Sequence, residues 1–192
     1  MCLKTQFFLY NKYMNKNLVI FSGSRNQIDD YKLNLILKEI GSKIDNNIYD
    51  VWYGGGKSGI MGIIPQEFYN KKGKVFSVNI EQFLETSENI GEQIVLNSYC
   101  ERQKTLIETG DIFLCLPGGL GTISELFDVL VNITYSNKDS LILLYSYNDF
   151  YKEIITFLFQ NINSGYISEE VIDNLRIFYD HEELIKFLNN PF

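Results

Sequence analysis

An arginine and a glutamate near a glycine-rich turn are the residues of this sequence best suited to chemistry. Arg102 lies in a segment with helical spacing, and Glu125 ends the run PGGLGTISE at residues 117–125. Glycine lets a backbone approach a ligand closely, and the N–H groups of a helix N-terminus attract anions such as phosphate. A guanidinium and a carboxylate beside such a turn are therefore candidates to act on a phosphorylated substrate.

The elements that would position these residues are strands and helices in alternation. Short apolar runs predict strands at 17–21, 48–53, 74–80, 112–116, 140–145 and 176–179. Helical spacing predicts helices at 27–40, from 60, at 98–109, from the glycine turn to 135, and at 149–160, 168–175 and 182–188. This alternation predicts an α/β fold, a Rossmann-like doubly wound parallel sheet with helices on both faces.

Two further local predictions concern the connections. Gly41 is expected to end the first helix, as glycine commonly does. Residues 81–97 are polar and without clear periodicity, so we expect an active-site loop or lid there. Small-residue turns at 22–25, 54–59 and 117–121 each follow a predicted strand. The carboxyl ends of parallel strands share one edge, so these turns should converge on one site.

Each motif also has a plainer interpretation. The sequence Gly-Lys-Ser at 56–58 suggests a nucleoside-triphosphate loop, but Val51 stands where that motif requires glycine. Lys57 could be solvated or contact a phosphate.

Thr122 and Glu125 have the spacing of a helix capping box, which competes with a role for Glu125 in the cleft. Arg102, on the inward helix face, could pair with a structural carboxylate or lie in an anion site, and we favour the second because its helix leads directly into the strand that carries the glycine motif.

Composition and charge restrict the classes of function. The 192 residues fit a short N-terminal extension, 1–15, and a single nucleotide-binding domain, 16–192. A net charge of −7 argues against a nucleic-acid partner. No apolar run has the ~18 residues of a membrane span, and no secretory signal is evident, so we expect a cytoplasmic protein without a membrane partner.

The residues that carry redox, metal or histidine chemistry are sparse. The cysteines form no C-x-x-C pair; they are Cys2, Cys100 and Cys115. Cys115 is expected to pack in the core, and neither a disulfide framework nor a metal site is expected. His181, the only histidine, is expected at the surface or at a helix start, which argues against a Ser-His-Asp triad within one chain. The aromatic residues of 150–159 are expected in the core or at a subunit contact.

Several of these motifs together resemble a known family. The runs YGGG at 53–56 and GIMG at 59–62, Arg102, and PGGLGTISE at 117–125 resemble the LOG family of cytokinin riboside 5'-monophosphate phosphoribohydrolases, often labelled lysine decarboxylase-like. The ordered match covers most of residues 17–188, with SGS at 22–24 resembling the family's first nucleotide-binding turn. The family usually has Arg-Lys where Gln103 follows Arg102 here, and often Cys at the position of Ser22.

The resemblance implies a fold, a reaction and an assembly. It implies a Rossmann-like homodimer that hydrolyses the N-glycosidic bond of a nucleoside 5'-monophosphate, such as AMP or an N6-substituted AMP, with no cofactor. It makes Arg102 and Glu125 the catalytic residues. The positions implied to bind substrate or phosphate are Gly23, Ser24, Gly54, Gly55, Gly56, Gly118, Gly119, Gly121 and Thr122.

The chemistry of that reaction agrees with the residue types. Cleavage of a ribosyl C–N bond builds positive charge on the sugar, which a carboxylate such as Glu125 can stabilise. Amino-acid decarboxylation is not expected, because no lysine is recognisable as the Schiff-base residue of a pyridoxal phosphate site. The alternative is a non-catalytic nucleotide or cofactor carrier of the same fold, because phosphate turns alone do not establish turnover.

Overall fold

The computed structural model describes residues 15–25, 30–86, 89–135 and 139–191. Apart from Asn15, the predicted N-terminal extension lies outside the described residues, as does Cys2. The strands are β1 (Lys16–Phe21), β2 (Tyr49–Tyr53), β3 (Val75–Ile80), β4 (Glu92–Leu96), β5 (Ile112–Cys115), β6 (Leu141–Tyr145) and β7 (Leu175–Phe178). The helices are α1 (Tyr31–Lys43), α2 (Ile63–Asn70), α3 (Tyr99–Thr109), α4 (Leu120–Tyr135), α5 (Lys152–Asn163), α6 (Glu170–Asp173) and α7 (His181–Asn189).

These strands form one parallel sheet in the order β4-β3-β2-β1-β5-β6-β7. The central strand β1 alternates its side chains between two cores, as the period of a strand requires. Leu18 and Ile20 pack with residues of α1, α2 and α7, whereas Val19 and Phe21 pack with residues of α3, α4 and α5. The predicted Rossmann-like sheet with helices on both faces is confirmed.

The order of the strands reverses beside β1, which pairs with β2 on one side and β5 on the other. Such a switch point opens a crevice at the carboxyl edge of the sheet, where ligands bind in this class of fold. The turns at 22–25, 54–62 and 116–119 follow β1, β2 and β5 and therefore lie at this edge.

Two local predictions were wrong. Residues 92–96 of the predicted loop form β4, an edge strand whose side chains are mostly exposed, which explains the polar sequence. Gly41 does not end α1, which continues to Lys43. A Cβ at Gly41 would lie only 2.8 Å from the carbonyl oxygen of Ile64 in α2. Gly41 therefore serves the close packing of two helices.

Candidate active site

The turn at 117–119, here named the PGG turn, leads directly into α4. The carbonyl of Gly119 accepts the N–H of Ile123 at 3.1 Å, so the first hydrogen bond of the helix starts there. Thr122 consequently lies inside the first turn, and the capping-box interpretation, which needs Thr122 before the helix, is wrong. The first-turn N–H groups of Leu120, Gly121 and Thr122 have no intrahelical acceptor and lie at the positive end of the helix dipole.

The glycines of this segment differ in whether protein packing requires them. A Cβ at Gly118 would lie 2.2 Å from Oγ1 of Thr122, so the packing of Thr122 explains this glycine. A Cβ at Gly119 or Gly121 would meet no described atom within 4 Å. Neither residue has a positive φ. Protein packing therefore does not require glycine at 119 or 121, and the open space beside them allows a ligand to approach.

The turns after β1, β2 and β5 are joined through Gly23. Its N–H donates to the carbonyl of Pro117 at 3.1 Å, and its carbonyl accepts the N–H of Ile60 at 3.1 Å. A Cβ at Gly59, where φ is +62°, would lie 2.8 Å from the carbonyl oxygen of Gly23. The structure thus gives Gly23 a structural role between turns, while its contact with substrate stays a prediction, as does that of the exposed Ser24.

Arg102 is buried and held by two main-chain carbonyls, one within β3 and one just after β2. Its Nε donates to the carbonyl of Val78 at 3.0 Å, and its Nη2 donates to the carbonyl of Gly54 at 3.1 Å. A Cβ at Gly54 would lie 2.0 Å from that Nη2. Gly54 is therefore needed to seat the arginine. Gly55 and Gly56 continue the turn with φ of +76° and +91°, which only glycine adopts readily.

Arg102 approaches Glu125 from the neighbouring helix. Nη1 of Arg102 lies 3.4 Å from Oε1 of Glu125, and both side chains are about nine-tenths buried. The pKa of Glu125 is raised to about 7: burial is the largest cause, Arg102 opposes it, and the carboxylate of Asp128 adds to it. A carboxyl group with this pKa in a cleft is suited to exchange protons near neutral pH.

Two residues beside this pair were not predicted as part of the site. The side-chain oxygen of Gln103 accepts from Nη1 of Arg102 at 3.1 Å, and Nε2 of Gln103 donates to Oδ2 of Asp128 at 3.4 Å. Asp128 stands three residues after Glu125, which places both on one face of α4. From that spacing, Asp128 could have been predicted as part of the site.

A groove of about 450 Å³ runs between α3 and α4 on the outer side of these residues. Gln103 and Asp128 line its polar part. The rest is lined by Tyr99, Cys100, Ile107, Val131, Asn132 and Tyr135. The charged cluster around Glu125 thus borders a mainly apolar groove.

Other residues that were singled out in the sequence lie on several elements of the fold. Lys57 is exposed in the turn after β2, and His181 is the first residue of α7, as expected. Of the aromatic residues at 150–159, Tyr151 is fully buried, while Phe150, Phe157 and Phe159 are exposed. Among the residues described, no helix is long and apolar enough to span a membrane.

Comparison with known proteins decides the family. A family model described as "Possible lysine decarboxylase" matches residues 52–188. The chain belongs to the LOG family. A cytokinin riboside 5'-monophosphate phosphoribohydrolase of Arabidopsis thaliana is 28% identical to this LOG-family chain over 180 residues, which cover 91% of the chain and 83% of the relative. A probable enzyme of the same name from rice, Oryza sativa subsp. japonica, is 32% identical over 123 residues, 62% of this chain and 58% of that one.

Solved structures share the fold at lower sequence identity. The molybdenum cofactor carrier protein of Chlamydomonas reinhardtii superposes with a TM-score of 0.67 at 14% identity, covering 90% of this chain and 95% of the carrier. A molybdenum cofactor binding protein of Rippkaea orientalis gives 0.62 at 19% identity, covering 91% and 96%. At these identities the likeness establishes only the architecture of the LOG-family chain, so its chemistry has to be inferred from the residues of the site.

Proposed function

We propose that this LOG-family chain hydrolyses the N-glycosidic bond of a purine nucleoside 5'-monophosphate, AMP or an N6-substituted AMP. The products would be the free base and ribose 5-phosphate. The observation that carries the proposal is the buried pair of Arg102 and Glu125 beside the PGG turn. The names of the similar plant proteins support the same reaction class.

The 5'-phosphate is the group that would bind at the start of α4, beside the PGG turn. The N–H groups of Leu120, Gly121 and Thr122 can donate to phosphate oxygens, and the dipole of the sixteen-residue helix α4 favours the negative charge. Gly119 and Gly121 leave room for that approach. Binding at the phosphate would orient the ribose toward Glu125, so that remote binding energy supports the chemical step.

The carboxylate of Glu125 would act at the ribose. As the bond between C1' and the base nitrogen breaks, positive charge develops on the sugar and is stabilised by the carboxylate. Glu125 would also accept a proton from the water whose oxygen forms the new bond to C1'. The departing base takes up a proton at its nitrogen from solvent, and Glu125 releases to solvent the proton that it accepted, so one water is consumed for each bond broken. A pKa of about 7 lets Glu125 be ionised for this role in a good share of molecules at neutral pH.

Arg102 would keep that carboxylate in place and balance its charge. Two of its donors are fixed by the carbonyls of Val78 and Gly54, so the guanidinium has a defined orientation before substrate binds. Such preorganisation removes the need for rearrangement during the reaction.

The test is to incubate the purified protein with AMP and with an N6-substituted AMP and to measure free base and ribose 5-phosphate by chromatography. We expect release of both products, and no release from adenosine, which lacks the phosphate. Glu125→Gln is the matched control for a contaminating activity. Absence of release from both nucleotides, with retained binding, would refute the hydrolase proposal.

That negative outcome would support a second function, a non-catalytic carrier of a nucleotide or phosphorylated cofactor. The shared fold of the molybdenum cofactor carriers makes this alternative concrete, because that architecture also occurs in proteins named for binding. A carrier would use the turns at the sheet edge but has no evident need for a buried carboxylate with a raised pKa. The presence of Glu125 therefore favours the hydrolase.

We also propose that the protein works in the cytoplasm as a homodimer whose active sites lie close to the subunit interface. Exposed apolar side chains on α3 and α4, Tyr99, Val131 and Tyr135, border the groove beside Gln103 and Asp128 and suit such a contact. Sedimentation of the purified protein would test the assembly, with a monomer as the contradicting result.

A further inference from the structure

The amide of Gln103 lies between an arginine and an aspartate. It is 7% exposed, and it accepts from Arg102 on one side and donates to Asp128 on the other. A guanidinium can only donate and a carboxylate can only accept, so this network allows a single orientation of the amide. The oxygen faces Arg102 and the nitrogen faces Asp128.

We propose that Gln103 is a positioning residue, which holds the Arg102 guanidinium against Glu125 through its amide oxygen and holds the Asp128 carboxylate through its amide nitrogen. The inference rests on the proposed hydrolysis, because it concerns the same site. Gln103 need not touch the substrate for this role. It acts through Arg102, whose Nη1 is shared between Gln103 and Glu125.

The side chain at 103 must accept and donate at once, and few residues can do so. Lysine cannot accept from Arg102, and glutamate cannot donate to Asp128 when ionised. Leucine has a similar size and does neither. A neutral amide also leaves the charges of the cluster unaltered, namely one guanidinium and two carboxylates.

Several titratable groups interact electrostatically with Glu125. Arg102 and Tyr99 face it from α3, Asp128 from its own helix, Cys115 from β5, and Tyr151 from the segment before α5. Of these, Arg102 and Asp128 are the two groups that act on the pKa of Glu125 after burial itself. Gln103 bonds to both, so a change at 103 should alter the protonation of Glu125 in a direction set by charge.

The first test is Gln103→Leu, which removes both hydrogen bonds and keeps the volume. We expect kcat to fall about ten- to a hundredfold, the effect of losing a hydrogen bond to a charged group. The KM for AMP should stay within about threefold, because the phosphate is held elsewhere, at the PGG turn. Lys104→Gln, at the exposed neighbouring position, is the matched control and should retain wild-type kinetics.

The decisive test exchanges the two hydrogen-bonding groups. Gln103→Glu keeps an acceptor for Arg102 but sets a second carboxylate against Asp128, so its kcat should fall at neutral pH. Adding Asp128→Asn restores a donor at 128 and the original net charge. We expect the double variant to recover at least tenfold in kcat over Gln103→Glu alone, a non-additivity typical of residues in one network.

Titration of the Glu125 carboxyl group by 13C NMR tests the same network without turnover. Gln103→Glu should raise the midpoint, Asp128→Asn should lower it, and the double variant should return close to wild type. Unchanged midpoints in both single variants, or full kcat in Gln103→Leu, would overturn the role of Gln103. Failure of the proposed function is distinguishable, because wild-type protein would then release no base while the midpoints still shift.

Discussion

Nη1 of Arg102 and Oε1 of Glu125 lie 3.4 Å apart, farther than the 2.7–2.9 Å of a strong charged hydrogen bond. The guanidinium is held back because its other donors bind the carbonyls of Val78 and Gly54. Its attraction is therefore too weak to offset the burial of the carboxylate. The pKa of Glu125 accordingly rises to about 7, and the group can change its protonation under physiological conditions.

Glu125→Gln tests the carboxylate with the least change in shape. Glutamine can still accept from Arg102, so the fold and nucleotide binding should be preserved. We expect kcat for AMP to fall by about 10²- to 10⁴-fold, the contribution typical of a positioned acid or base. Binding of AMP by calorimetry is the second measurement, and undiminished turnover would remove Glu125 from the mechanism.

The pH dependence of activity follows from the same carboxyl group. Because the ionised form of Glu125 is the proposed active form, kcat/KM should rise with pH through an apparent pKa near 7, since kcat/KM reports the pKa of the enzyme without substrate. Asp128→Asn removes a neighbouring negative charge and should move this limb to lower pH. A rate profile that is flat between pH 5 and 8 would contradict the assignment.

The raised pKa of Glu125 also predicts how stability varies with pH. The folded state holds the proton more tightly than the unfolded state, so this stabilising contribution is complete below pH about 4.5 and is lost as pH rises through 7. The shift corresponds to roughly 3 kcal/mol. Between pH 5 and pH 8, urea unfolding should show that the wild-type protein loses more free energy of unfolding than Glu125→Gln does. An equal change in the two proteins would refute the prediction.

Alanine substitutions separate the glycines that serve packing from those that serve a ligand. Gly118→Ala should destabilise the protein by about 1–3 kcal/mol, because the new methyl group overlaps Thr122. Gly119→Ala and Gly121→Ala should leave the free energy of unfolding within about 0.5–1 kcal/mol. These two should nevertheless raise the KM for AMP, since a methyl group would stand where phosphate is proposed to bind. An unchanged KM in both variants would mean that the phosphate binds elsewhere.

Gly41→Ala tests the packing of α1 on α2. Alanine favours a helix over glycine by about 1 kcal/mol, but here its Cβ would overlap main-chain atoms of Ile64. We expect net destabilisation of about 1–2 kcal/mol, measured by urea unfolding, with unchanged kcat. Increased stability would mean that the two helices can separate at no cost.

The alternation of strands and helices could be predicted from the sequence because the inner strands are largely apolar and the turns after β1, β2 and β5 carry glycine or serine. The edge strand β4 could not, since an exposed strand with polar side chains has the same composition as a loop. Gly41 was misinterpreted for a related reason. A glycine near a helix end suits a cap, and only the position of Ile64 in space reveals the close approach.

The site shows the same division. Sequence motifs could predict that Arg102 and Glu125 belong to the site and that they lie near the PGG turn. The acceptors that orient Arg102 could not, because the carbonyls of Val78 and Gly54 belong to the backbone, which every residue possesses. Gln103 was noticed in the sequence only as a departure from the family's usual residue, and its bridging position depends on the packing of α3 against α4.

The pairing of β1 with β5, in which Phe21 lies opposite Cys115, has a consequence for how activity appears during refolding. Arg102 is anchored within β3 and just after β2, whereas Glu125 follows β5 on the other side of β1. A slip of two residues between β1 and β5 would displace these groups by about 7 Å. Pairings so distant in sequence form slowly, so the proposed activity should return on refolding no sooner than correct alignment at the centre of the sheet.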